Sequence, residues 1–295
     1  MNMLFGIACG LIGGMSWGVV DSCATFAGRR IGILITAAGI QLTALVPLIA
    51  LCLLTGTSIP TDPSLVAQAA IVGLIAGAGY LVIFQALRLG PVSVVSPIIS
   101  SYGGLSVVFA GLFLGESLRL AQACGVAVSA MGVALAGVVL ERSWRRSRPV
   151  GRGVPFAVLG LVIWAIVMVG LATPIRELGW LPTLLIARLA ATVFLLFAGT
   201  VRLIAFPSAK RRQPLRLNRH AAALILAMGS LDVLGFAVWA IGLAATTAWL
   251  AGIAGSIGPI VTMTFGLVIF RERLRPNQWL GTAAVFTGIA LVAAS

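Results

Sequence analysis

The sequence predicts an all-α membrane protein with ten transmembrane helices arranged as two inverted five-helix repeats. Three observations predict it. Hydrophobic residues make up 60 % of the 295 positions and charged residues only 9 %, against roughly 25 % charge in soluble domains; mean hydropathy is +1.12. Polar punctuation then cuts the chain into ten apolar segments, each roughly 18–25 residues, the length a helix needs to cross a bilayer. Finally, the same residue pattern recurs at a fixed offset in the two halves of the chain. The connections are too short to fold alone, so any activity resides within the helix bundle.

The segments run at about 4–27, 31–54, 66–87, 93–114, 120–140, 153–172, 180–203, 220–244, 247–270 and 276–294. Their order fixes the charge pattern. Connections after segments 1, 3, 5, 7 and 9 hold 17 of the 20 basic residues, among them Arg29, Arg30, Arg88, Lys210 and Arg271. The even-numbered connections hold Arg119 and Arg176, and Arg188 lies inside segment 7. Basic loops stay in the cytoplasm, so both termini are expected outside, periplasmic in a bacterial inner membrane. A net charge of +13 would suggest nucleic acid if it formed a surface stripe. It alternates between helix ends instead, so no nucleic-acid partner is expected. The run Arg142-Ser143-Trp144-Arg145-Arg146 is also suited to anionic lipid headgroups.

No Lys or Arg precedes Arg29, so segment 1 lacks the charged n-region of a signal peptide. Cys9, Cys23, Cys52 and Cys124 all fall in apolar segments without a Cys-x-x-Cys pair, and His220 is the lone histidine. That leaves no basis for a metal, a disulfide framework or a cofactor. An intramembrane enzyme would need a nucleophile–base constellation, which the sequence lacks.

The repeat reads directly. Leu114-Gly115-Glu116-Ser117-Leu118-Arg119 is followed by Gln122, Gly125 and Gly132; Phe270-Arg271-Glu272-Arg273-Leu274-Arg275 is followed by Gln278, Gly281 and Gly288, at offset 156 throughout. Gly73, Gly79 and Tyr80 meet Gly229, Gly235 and Phe236 at the same offset, and Gly13 and Trp17 meet Gly160 and Trp164 at offset 147. The boundary falls in the Arg-rich connection, dividing the chain into 1–146 and 147–295. Five is odd, so the second unit crosses in the opposite sense. Inverted repeats of this kind mark secondary transporters, with the substrate at the repeat interface near the midplane.

The pattern Ala86-Leu87 … Gly90-Pro91 … Pro97 … Gly115-Glu116-Ser117-Leu118 … Gln122 … Gly125 … Gly132, echoed as Gly242-Leu243 … Pro259 … Glu272-Arg273-Leu274 … Gln278 … Gly281 … Gly288, resembles the EamA branch of the drug/metabolite transporter superfamily across essentially the whole chain. The resemblance implies ten helices in two halves and export of amino acids or other small metabolites. One branch exports aromatic amino acids, and the aromatic residues below make this chain similar to that branch. Ile253 stands opposite Pro97 and Arg273 opposite Ser117, so the halves are not functionally identical.

Within the segments, Gly6, Gly10, Gly14 and Gly18 form a stripe without Cβ atoms, as do Gly73 and Gly77; such stripes let backbones approach closely. Pro97 and Pro259 remove backbone hydrogen bonds and invite kinks. Ser93, Ser96, Ser100, Ser101 and Ser256 can either cap the freed carbonyls or face a polar cavity.

Charge at depth is costly and invites a functional reading. At about 1.5 Å per residue, Arg188 lies ~12 Å into its segment and Asp232 ~18 Å into the next, comparable mid-depths. They are read either as a self-neutralising pair or as contacts for a zwitterion, Arg188 for carboxylate and Asp232 or Asp21 for ammonium. Asp21, within two turns of Arg29, reads as interfacial. Gln41 is the offset-147 counterpart of Arg188. Trp144, Trp180, Trp249 and Trp279 fall at segment ends, as an interfacial belt does. Trp17, Tyr80, Tyr102 and Trp164 lie near the midplane and Trp239 a little outward, where a central cavity would supply partners for their N–H and O–H groups. The expected substrate-binding set is therefore Trp17, Gln41, Tyr80, Tyr102, Trp164, Arg188, Asp232 and Trp239. Glu116 and Glu272 read as helix-end ion pairs with the arginines that follow. The expected partners are a small-molecule substrate and membrane lipid, with the chain a monomer or weak homo-oligomer. A passive pore or a drug exporter is the competing function.

Overall fold

A computed structural model describes residues 2–58, 60–115, 119–139, 148–149, 151–205 and 219–293. Glu116, Trp144, the basic run 142–146 and the 146/147 boundary lie outside them. The helices are α1 (Asn2–Arg30), α2 (Ile33–Thr55), α3 (Pro63–Leu89), α4 (Val92–Ser100), α5 (Tyr102–Leu114), α6 (Leu120–Ala136), α7 (Gly153–Gly170), α8 (Ala172–Leu178), α9 (Trp180–Ala205), α10 (Arg219–Ala244), α11 (Ala248–Gly255), α12 (Gly258–Val268) and α13 (Pro276–Ala293).

Eight stretches are long and apolar enough to cross a membrane, with α4–α5, α7–α8 and α11–α12 each counting as one. The remaining two expected crossings, α6 and α13, are not among those eight. Helix α6 has 17 residues, and α13 opens on Pro-Asn-Gln. They pack on each other, the most extensive helix pair among the described residues. An added Cβ on Gly125 would strike Gly288, and one on Gly132 would strike Gly281. These contacts run in opposite order along the two helices, so α6 and α13 are antiparallel. Segment 5 was expected to be helical to residue 140, but helix stops at Ala136. Val138–Val139 pairs antiparallel with Arg148–Pro149, because successive β-branched residues favour extended backbone.

Local chemistry explains the other boundaries. Helix α3 starts at Pro63, ahead of the expected 66, because Asp62 accepts hydrogen bonds from the Leu65 and Ser64 amides, a cap followed by proline. Those amides hold the Asp62 carboxyl below the usual carboxylate range. Three crossings expected as single helices are broken, at Ser101, at Leu171 and at Ser256–Ile257. Pro174 has no N–H to offer the Gly170 carbonyl, and Gln68 Nε2 donates to that carbonyl instead at 3.0 Å. At Ser256 the Ile260 amide turns to Ile257, and the Ser100 hydroxyl takes the Ser256 carbonyl. Ser96 likewise donates to the Pro259 carbonyl at 3.0 Å. Ser96 and Ser100 therefore cap carbonyls in the other half of the chain, whereas Ser101 donates to the Pro97 carbonyl of its own half at 3.4 Å.

The two halves interdigitate. Helix α1 packs along α10 and across α11–α12; reciprocally, α7 packs along α3 and against α4–α5. The α1 glycine stripe makes its contact possible, since a Cβ on Gly14 or Gly18 would run into the backbone of Gly255 or Gly258. Gly73 meets Ala187 backbone in the same way.

Candidate functional site

The interior of this bundle contains a charged cluster where α2, α3, α9 and α10 meet. Arg188 and Asp232 form an ion pair with Nη1 2.6 Å from Oδ2, their side chains 5 % and 2 % exposed. Nη1 also donates to Gln41 Oε1 at 2.8 Å and to the Tyr80 hydroxyl at 3.2 Å. Two protons thus serve three acceptors. The Tyr80 hydroxyl in turn donates to Asp232, 2.9 Å from Oδ1 and 3.1 Å from Oδ2. The guanidinium lies 4.4 Å from the Phe236 ring centroid, a cation–π contact that helps offset desolvation. Burial makes such pairing compulsory, since a lone charge here would be costly.

Repeat-equivalent residues meet in this cluster. Gln41 and Arg188, at offset 147, touch each other. Trp17 meets Phe236 at a tilt with centroids 4.6 Å apart, and their counterparts Trp164 and Tyr80 meet edge-to-face at 5.2 Å.

Two cavities flank it. The first has a volume of about 30 Å³, room for a group of roughly water size. Trp17, Tyr80, Tyr102 and Trp164 wall it, Asp21 and Asp232 face it, and Gly255 and Pro259 close it. The second, about 20 Å³, is lined by Gln41, Tyr80, Arg188 and Phe236 with Val72, Ala76 and Leu184. Along α3 the order is Val72 and Ala76, then the shared Tyr80, then Ile83 and Phe84 of the first cavity. The cavities are therefore stacked along the bundle, with Tyr80 and the ion pair between them. Several buried polar atoms in their walls lack partners: Trp17 Nε1 and Tyr102 OH at the first cavity, Gln41 Nε2 and Arg188 Nη2 at the second.

Seven of the eight residues singled out from the sequence line one cavity or the other. Trp239 does not. It is fully buried behind Trp17, 6.1 Å between centroids, with its N–H donated to the Ala251 carbonyl at 3.0 Å. Depth alone gave no way to tell a second-row ring from a wall. Asp21, weighed both as an ammonium contact and as an interfacial residue, faces the first cavity. Its spacing of four from Trp17 puts both on one helical face, a signal that could have placed it there. Phe236, the counterpart of Tyr80 and a neighbour of Asp232 on one helical face, forms the platform under Arg188.

Glu272 also departs from expectation. Arg271 adopts left-handed backbone, φ 52°. The Glu272 carboxylate accepts from the Val92 amide at 2.9 Å, the Ser93 amide at 2.7 Å and the Ser93 hydroxyl at 2.6 Å. It caps the first turn of α4, where amides lack intrahelical partners and the helix dipole favours an anion.

A bundle of apolar helices with a buried polar centre fits many membrane proteins, and comparison narrows it. The model of the EamA-like transporter family matches residues 4–138 and 151–294. The chain belongs to that family. It is thus a multi-pass membrane transporter whose family pattern occurs twice. No curated protein matches it. A protein of known crystal structure aligns over 99 % of this chain and 97 % of its own, with a TM-score of 0.65 and 19 % sequence identity. That likeness extends to the fold.

Proposed function

We propose that this EamA-family protein is a secondary exporter of amino acids or similar small metabolites, working by alternating access. The halves, 1–146 and 147–295, would then be five-helix units of opposite orientation, ten crossings in all, in a bacterial cytoplasmic membrane. One observation carries the reading: repeat-equivalent residues from the two halves converge on a polar, aromatic-walled centre flanked by two small cavities. Transporters built from inverted repeats bind substrate at that interface and rock one half against the other. The antiparallel glycine contacts between α6 and α13 supply a seam for such rocking, because small residues pack without interlocking side chains.

In this reading Trp17, Tyr80, Tyr102 and Trp164 are the walls that sense substrate shape. Gln41 Nε2 and Arg188 Nη2, both donors without partners, suit a carboxylate. Asp232 holds Arg188 and Tyr80 in place, and Trp239 backs Trp17. Cavities of about 30 and 20 Å³ are too small for a whole amino acid, so one half must move to admit it. The test is counterflow in proteoliposomes with a panel of labelled amino acids. Saturable uptake, accelerated by unlabelled substrate on the opposite side, is the expected result. Flux that rises linearly with concentration and ignores the opposite side would mean a passive pore.

A further inference from the structure

The first of the two central cavities holds a second carboxyl group that the ion pair does not engage. Arg188 neutralises Asp232, whereas no hydrogen bond or ion pair reaches the Asp21 carboxylate among the described residues. Asp21 is partly buried and shares the cavity wall with Asp232 and Tyr102. Two further polar atoms at the same cavity are orphaned. Trp17 is 8 % exposed and Tyr102 3 %, yet the indole N–H and the phenol O–H have no partner. Buried polar groups ordinarily have one, and exceptions call for an explanation. A surplus carboxylate, an unengaged hydroxyl and a wall of aromatic rings together make a seat for a cation.

We infer that Asp21, with Tyr102 and Trp17, is the seat of the substrate's amine, so that the cavity selects primary ammonium groups while the Arg188–Asp232 pair stays intact. The inference rests on the central cavity being the substrate site. The carboxylate of Asp21 takes the charge, the Tyr102 oxygen accepts a second ammonium proton, and the Trp17 N–H is left for an acceptor elsewhere on the ligand. A volume of about 30 Å³ matches the ammonium head, whose size is roughly that of a water molecule. Gly255 contributes space: a Cβ there would stand 3.3 Å from the Tyr102 hydroxyl and 3.2 Å from the Trp17 ring.

The test is equilibrium binding to detergent-purified full-length protein with three matched probes: phenethylamine, which has only the amine; phenylalanine, which has both charges; and 3-phenylpropionate, which has only the carboxylate. The two amines should bind, and the acid should not compete with them. Asp21→Asn, which keeps shape and removes charge, should weaken phenethylamine about tenfold or more, as loss of a charged hydrogen-bond partner does. Tyr102→Phe breaks no existing bond, so it should fold normally and still bind the amine more weakly. Gly255→Ala should weaken it without touching charge. Binding of the acid alone, binding of none of the three, or undiminished amine binding by Asp21→Asn would each overturn the inference. Counterflow separates this from the exporter reading. Transport indifferent to the amine overturns the ammonium seat alone, whereas amine-selective binding without counterflow overturns the exporter alone.

Discussion

Arg188 has three acceptors on one nitrogen and none on the other, and that asymmetry lets its two roles be separated. Replacing it by Ala leaves Asp232 as an uncompensated buried charge and should cost about 3–5 kcal/mol of stability, read as a fall in the thermal unfolding midpoint. Arg188→Leu combined with Asp232→Leu removes both charges and should restore folding. If Nη2 holds the substrate carboxylate, the folded double mutant will not export amino acids; export at the wild-type rate would reduce the pair to packing. Part of this centre was legible in the sequence. The offset of 147 linked Gln41 to Arg188, and equal depth linked Arg188 to Asp232. For Asp21 the sequence leaves an ammonium contact and an interfacial role both open, because counting from Arg29 measures distance to a helix end and says nothing about which face carries the side chain. Trp239 shows the converse limit, since a correct depth does not reveal which ring stands in front.

At the scale of elements, the glycine stripes were readable because a missing Cβ every fourth residue has one geometric meaning. Gly18 shows it: an added methyl would collide with the Gly258 carbonyl, and backbone cannot step aside as a flexible side chain can. Gly18→Ala should therefore destabilise by about 1–3 kcal/mol, the usual cost of overpacking. Gly104 is the control, since its nearest neighbours stand 3.9 Å from an added Cβ. Gly104→Ala should be neutral or slightly stabilising through helix propensity. Equal losses at the two positions would mean the stripe is not a contact surface. The helix breaks were harder to read. Pro97 and Pro259 announced freed carbonyls, but the groups that cap the breaks, Gln68 for Gly170 and Ser100 for Ser256, lie 102 and 156 residues away. Only the folded packing reveals such partners, and the same holds for Glu272 on α4.

For the whole molecule, the distribution of basic residues makes a prediction that orients everything else. From seventeen cationic residues on alternate connections against two on the others, we expect the termini outside and the Arg-rich connections in the cytoplasm. A reporter fused after Ser295 should behave as periplasmic and one inserted at Lys210 as cytoplasmic. Orientation then assigns a side to each cavity. With the N-terminus outside, α3 is the third crossing and runs inward, so Val72 and Ala76 lie on the outer side of Tyr80, and Ile83 and Phe84 on the inner side. An exported solute would meet the Asp21 cavity first, then the barrier of Tyr80, Arg188 and Asp232, and then the Gln41 cavity. In a variant lacking the four native cysteines, Ala76→Cys should react with a membrane-impermeant thiol reagent added outside, and Ile83→Cys should react only from the cytoplasmic face. Substrate should change both rates, because opening one side closes the other in alternating access. Labelling of Ile83→Cys from outside, with Ala76→Cys reached from inside, would reverse the direction of the whole path while leaving the two-cavity arrangement intact.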